Sequence, residues 1–311
     1  MTIPQQLRDR VSALSSPDDL AQPAMAWRPA SWRNRLSRER DARASLDYQG
    51  LIDELASATI PGTGDGQHRI GRIDVAQFAS SEGLRPGDGE LVTDAVVRAF
   101  IASMIWGYGL VGYGPYRTER VLFRGGDAPD KVAIGQLRDV ADVAQSQGGT
   151  AAFKHIADQR RTNRAYLKYL GPAFGTKFIY FLTKASPADT TPVMDSVVTG
   201  WLQRHVPDAG TFNLSWWDSG SYERYVGLMN DWASDLPSSS ARAWAADDVE
   251  LLIFQDARGV AIPESENVTA ESMLDDLGAE ADARGGNVDK VGVLLVEALR
   301  EWFALTLSPD Q

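Results

Sequence analysis

The chain has 311 residues, of which 43% are apolar and 23% charged, the balance of an ordinary folded protein and not of a disordered one. It contains no cysteine, so disulfides, thiolate zinc sites, iron–sulfur clusters and cysteine nucleophiles are excluded, and its three histidines (His68, His155, His205) are too scattered for a histidine-rich metal centre. The net charge of −11 is unevenly placed: residues 231–311 hold 17 acids against 5 bases, whereas residues 154–184 hold seven bases against Asp158 alone. A phosphate backbone responds to local potential more than to the total, so an acidic chain is still compatible with DNA. No stretch of 18 apolar residues occurs, and residues 1–10 lack the apolar core of a signal peptide. A cytoplasmic protein with no membrane partner is expected.

In chain order, residues 27–43 (WRPASWRNRLSRERDAR) read as a basic arm or surface helix, and residues 60–66 (IPGTGDG) as a loop. Residues 91–106 are a strongly apolar helix, broken by the glycines of residues 107–115 (GYGLVGYGP). Residues 150–170 read as a helix with its basic residues opposite a small apolar stripe. A tight connection, residues 171–175 (GPAFG), leads into a short apolar helix over 176–184. Further helices are expected over 196–205, 222–236, 247–256 and 289–307, with no long period-two alternation and no internal repeat. The reading is mostly α.

Lys177 breaks a local rule. It falls in the expected first turn of an apolar helix, where a cation faces the positive end of the dipole. Burial among Phe178, Ile179 and Phe181 acts in the same direction, and an unprotonated amine is what a lysine nucleophile requires. The simpler reading is an ammonium that snorkels to water or phosphate. Asp195, eighteen residues on, stands where an N-cap is expected, its carboxylate accepting orphan backbone N–H groups. A carboxylate held in one orientation also suits a site that stabilises a cationic transition state.

Residues 169–177 (YLGPAFGTK) resemble the hairpin and following helix of the helix–hairpin–helix, Gly/Pro-Asp superfamily of DNA glycosylases, and residues 191–195 (TPVMD) resemble its Pro-Val-Asp segment. The Lys177–Asp195 spacing and the Gly-Thr-Lys triplet are most similar to the 8-oxoguanine glycosylase branch, although Phe181 replaces the cysteine that lines the oxidised-guanine pocket there. Residues 113–122 (YGPYRTERVL) with 170–181 also resemble a bacterial family of that fold. Some of its members are antiviral and remove glucosylated hydroxymethylcytosine from phage DNA. The resemblance implies two helical lobes with the active site in the cleft between them: residues 1–90 a basic arm and helices packing on the second lobe, 91–205 the helix–hairpin–helix core, and 206–311 an acidic C-terminal lobe.

It further implies a monomeric DNA glycosylase on double-stranded DNA bearing a modified base, with Lys177 attacking C1′ and Asp195 stabilising positive charge on the deoxyribose. A monovalent cation bound by hairpin carbonyls is the only cofactor implied, with no metal held by side chains. Gly171, Gly175 and Thr176 are expected against phosphate, with Arg160, Arg161, Arg164 and Lys168 as further phosphate contacts. Arg117 and Arg120 either clamp DNA or pair with Glu119 or another acid beside a tyrosine-capped turn. Phe181, Trp216, Trp217, Tyr222 and Tyr225 are candidates for the base pocket, each with core packing as the alternative. The substrate favoured is glucosylated hydroxymethylcytosine in phage DNA. The alternatives are 8-oxoguanine repair with AP lyase activity, a non-catalytic hairpin module, and an acidic scaffold that uses residues 231–311 to recruit a partner.

Overall fold

The structure is a computed structural model that describes residues 1–12, 14, 17–20, 22–36, 47–64, 66–80, 83–84, 92–126, 129–185, 190–237 and 242–259. The helix expected over 289–307 and most of the acidic C-terminal stretch lie outside them. The first part of the chain forms α1 (Gln5–Ser12), β1 (Met25–Trp27), α2 (Pro29–Leu36), α3 (Tyr48–Ala58), β2 (Ile60–Pro61), β3 (His68–Ile70) and α4 (Arg72–Ala79). The strands make one antiparallel sheet in the order β1-β3-β2, with Met25 opposite Ile70 and Ile60 opposite Arg69. Strands of two or three residues are too short to display alternation, which is why residues 60–66 read as loop alone.

Eight further helices follow among the described residues: α5 (Thr93–Tyr108), α6 (Tyr113–Phe123), α7 (Lys131–Gln147), α8 (Gly149–Thr162), α9 (Pro172–Lys184), α10 (Ser196–His205), α11 (Ser219–Asp235) and α12 (Ala246–Gly259). The described part of the chain is mostly helical, as its periodicity indicated. α5 is apolar around nearly its whole circumference, the pattern of a helix enclosed by others. It packs against α4, α6, α7 and α9, and α9 in turn against α8. One apolar core runs from Ile3 to Ala257.

Two of the boundaries that differ from the sequence reading shape the site. The helix expected over 150–170 stops at Thr162, and residues 163–170 form turns. Leu167 (φ 43°) and Tyr169 (φ 75°) adopt left-handed backbone that a right-handed helix cannot contain. α9 begins at Pro172, four residues earlier than expected, because proline presets a helical φ at the first position and Gly171 serves as the extended N-cap. Lys177 is therefore in the second turn of α9 and not the first.

Ion pairs, one of them buried, tie the N-terminal helices to the C-terminal ones. Arg72 of α4 donates from one terminal nitrogen to both oxygens of fully buried Glu250 on α12, at 3.0 and 2.7 Å. Asp256 of α12 accepts from Arg10 of α1 and from the Trp201 indole of α10, each at 2.7 Å. Removing one partner of a buried pair leaves the other charge unmet, so Arg72→Met is expected to destabilise the fold by about 3–5 kcal/mol in denaturant melts, with the loss largely recovered when Glu250→Leu is added. An Arg72→Met protein with an unchanged midpoint would show that the pair does not hold α4 to α12.

Candidate active site

Five of the residues singled out from sequence, Thr176, Lys177, Asp195, Tyr222 and Tyr225, meet at a short buried segment, Thr191 to Asp195, that crosses between α9 and α11 without belonging to a sheet. Its backbone groups are met by side chains. Thr183 Oγ1 accepts the Thr191 N–H at 3.1 Å, Tyr222 donates its hydroxyl to the Pro192 carbonyl at 3.0 Å, and Tyr225 donates to the Val193 carbonyl at 2.5 Å. Thr176 engages Met194 from both sides: its oxygen accepts the Met194 N–H at 3.2 Å, and its proton lies between the Met194 and Ala173 carbonyls at 3.1 and 2.9 Å. Asp195 then caps α10, Oδ1 accepting from Val197 and Val198 N–H at 3.1 and 3.2 Å.

This clamp brings Lys177 Nζ to 3.1 Å from Asp195 Oδ2, with both side chains about 5% exposed. Burial alone would raise the Asp195 carboxyl. The Lys177 charge and the capping N–H groups outweigh it and hold the group below the ordinary carboxylate range. Asp195 is thus an oriented anion, one oxygen on the helix end and the other on the amine. The lysine stem lies along α5 at Gly107, where a Cβ would stand 2.8 Å from Lys177 Cδ and 3.0 Å from Phe174. Only glycine leaves that room. The amine sits 4.9 Å from the centre of the partly exposed Phe174 ring, which stacks at 3.7 Å on Tyr108. Phe174, Tyr108 and Gly107 are site residues that sequence reasoning passed over; the glycine interrupting an otherwise apolar helix was the available signal.

The expected DNA contacts divide in two. Arg161 and Arg164 are exposed, Arg161 lying 3.1 Å from Asp158, and Lys168 is half-buried with its ammonium 5.1 Å from the Tyr169 ring centre. Gly171 has open space where a side chain would be. The others turn inward. Thr176 is fully buried, and the Gly175 N–H bonds to the Gly171 carbonyl inside the helix. The Trp217 ring lies so close to Gly175 that a Cβ there would be 2.1 Å from it. Arg117 donates to the Tyr169 carbonyl and Arg160 to those of Leu167 and Leu170, while Arg120 donates to the Tyr169 hydroxyl at 2.8 Å. Glu119, the acid expected beside these arginines, pairs with Arg35.

Of the pocket candidates, Trp216 alone is largely exposed, at 62%. Tyr222 and Tyr225 are fully buried and support the segment described above. Trp217 packs on Phe153 at 4.7 Å and donates to the Leu170 carbonyl at 3.3 Å. Phe181, one turn beyond Lys177, is fully buried and stands edge-on to Trp106, whose indole N–H finds no acceptor among the described residues. Phe181, Tyr222 and Tyr225 point inward because α9 and α11 bury the apolar faces that carry them, and Trp217, in the loop before α11, packs on Phe153 of α8.

Among the described residues no cluster of three His, Asp or Glu could hold a metal ion, and no helix is long and apolar enough to cross a membrane. A family model described as "OGG: Putative 8-oxoguanine DNA glycosylase OGG-like protein" matches residues 18–254, most of the chain. Searches of curated proteins and of solved structures returned no match.

The clamp makes a specific expectation for Thr176. Thr176→Val keeps the shape but leaves the Met194 N–H and carbonyl unmet in the interior, which should lower stability by about 1–3 kcal/mol in denaturant melts. Thr176→Ser, which restores the hydroxyl, should recover most of the loss; equal stability of the valine and serine variants would mean that the Met194 bonds do not matter.

Proposed function

The chain belongs to the 8-oxoguanine DNA glycosylase-like family, and we propose that it excises a modified base from DNA with Lys177 as nucleophile and Asp195 as electrostatic partner. The observation that carries this reading is the 3.1 Å approach of Lys177 Nζ to Asp195 Oδ2 in a buried site, between residues eighteen apart in the chain. The extruded nucleoside displaces the partly exposed Phe174 ring from above the amine, unstacking from the duplex costing a few kcal/mol. Because its carboxyl is held low, Asp195 stays ionised and stabilises positive charge developing on the deoxyribose; it is poorly suited to storing a proton. One ammonium proton of Lys177 passes to the departing base, and the nitrogen's freed electron pair bonds to C1′ as the N-glycosidic bond breaks, that bond's pair leaving with the base. A second amine proton passes to the ring oxygen as the sugar opens to a protonated imine, from which β-elimination would nick the strand.

Exposed Arg161 and Arg164, with the open N-terminus of α9 at Gly171, offer the charge and N–H groups that suit a phosphate backbone. For the base itself, the reading we favour is a hypermodified cytosine of phage DNA, excised as an antiviral act. It is supported by the likeness of residues 113–122 and 170–181 to the bacterial antiviral family. The second reading, 8-oxoguanine, is supported by the description of the matching family.

Borohydride should trap a covalent adduct between this protein and substrate DNA, and Lys177→Gln should abolish it. Asp195→Asn should retain DNA affinity and slow excision by about 10²–10³-fold, the range seen when one electrostatic stabiliser is removed. Normal excision by both variants overturns the assignment. Duplexes carrying 8-oxoguanine, hydroxymethylcytosine and its glucosylated forms, with released bases identified by mass spectrometry, decide between the two substrates.

A further inference from the structure

The resemblance to helix–hairpin–helix glycosylases implies a monovalent cation held by hairpin carbonyls, and the hairpin here, residues 163–171, offers those oxygens to something else. A single terminal nitrogen of Arg160 donates to the Leu167 carbonyl at 3.3 Å and to the Leu170 carbonyl at 3.1 Å. Arg117 donates from Nε to the Tyr169 carbonyl at 2.5 Å, and the Trp217 indole also donates to Leu170 at 3.3 Å. Three hairpin carbonyls thus face N–H groups. A metal ion coordinates through the same lone pairs and would also be repelled by the guanidiniums beside them.

Arg160 is not held there by an acid. It lies on α8 with its guanidinium mostly buried, and among the described residues no carboxylate is within ion-pair distance of it. Burial and then the charge of nearby Arg117 both work against its protonated form. A buried cation needs compensating dipoles, and the Leu167 and Leu170 carbonyls are the ones present. The hairpin needs the arginine in return. Leu167 and Tyr169, neither of them glycine, hold left-handed backbone, a strain of about 1–3 kcal/mol each that persists only where the surroundings enforce it.

We infer that Arg160 is the hairpin's own cation: tethered to α8, it takes the carbonyl oxygens that a monovalent metal ion would coordinate, so this chain grips DNA without such an ion. The inference rests on the glycosylase reading for its DNA partner, and assigns Arg160 a positioning role on the hairpin instead of a direct phosphate contact.

The test is DNA affinity, which is independent of excision. The full chain is titrated by fluorescence anisotropy onto a labelled duplex holding a tetrahydrofuran abasic-site analogue, in potassium, sodium or tetramethylammonium chloride at one ionic strength. Tetramethylammonium cannot be coordinated by carbonyls. The expected result is one affinity, within about two-fold, in all three salts, and a loss of about ten-fold or more for Arg160→Gln, the scale of a charged hydrogen-bonding group removed. Affinity that falls about ten-fold in tetramethylammonium means that a coordinated ion is required, and overturns the inference while leaving the glycosylase reading intact. Unimpaired binding by Arg160→Gln overturns it equally. Should that variant unfold, as a thermal melt would reveal, the salt exchange on the unmodified chain decides alone. A chain that binds the duplex in none of the salts overturns both readings together.

Discussion

The backbone of residues 191–195 is the constraint on which the site depends. It is extended, buried and outside any sheet, so each polar group on it must find a partner among side chains or remain unmet at about 1–3 kcal/mol apiece. Thr176, Thr183, Tyr222 and Tyr225 supply those partners from α9 and α11. They leave the segment little freedom to slide, and so they set where Asp195 stands relative to Lys177. The geometry of the pair is a consequence of hydroxyls that touch neither the amine nor the carboxylate.

The charges follow a similar logic. Seven basic residues crowd the stretch from Lys154 to Lys184, but their destinations differ. Lys177 goes to Asp195, Lys184 to Asp247 at 2.9 Å, and Arg160 to hairpin carbonyls. Arg161 and Arg164 remain at the surface. A cluster that looks uniform in sequence is thus divided between an inner part engaged with the hairpin, Asp195 and Asp247 and an outer part at the surface. Arg117 and Arg120 join the interior part by docking α6 onto Tyr169.

Burial of the Lys177–Asp195 pair also follows from packing. Gly107 admits the lysine stem against α5, and the Phe174–Tyr108 stack closes over the amine. Kept from water, the amine has each electrostatic interaction around it strengthened by the low local dielectric. Phe174 lies on the first turn of α9 and is only partly buried, so its movement need not disturb the helix core.

How much could be read from the chain alone depends on whether a feature is local. Helix periodicity and the aspartate before α10 act within a few residues, so α5, α10, α11 and α12 and the place of Asp195 at the N-terminus of α10 were legible. The hairpin's left-handed residues were not, because Leu167 and Tyr169 have no intrinsic preference for that backbone and are held in it by neighbours from α6 and α8. Nor could Tyr222 and Tyr225 be told from pocket rings, since a tyrosine that braces a carbonyl thirty residues away carries the same pattern as one that faces a base. What the amino-acid order determined by itself was the helical class and the singling out of Lys177 and Asp195 as candidates; what only tertiary structure decided was which hydroxyls, rings and guanidiniums turn inward, because that choice is made by the unmet polar groups of distant segments once they are packed together.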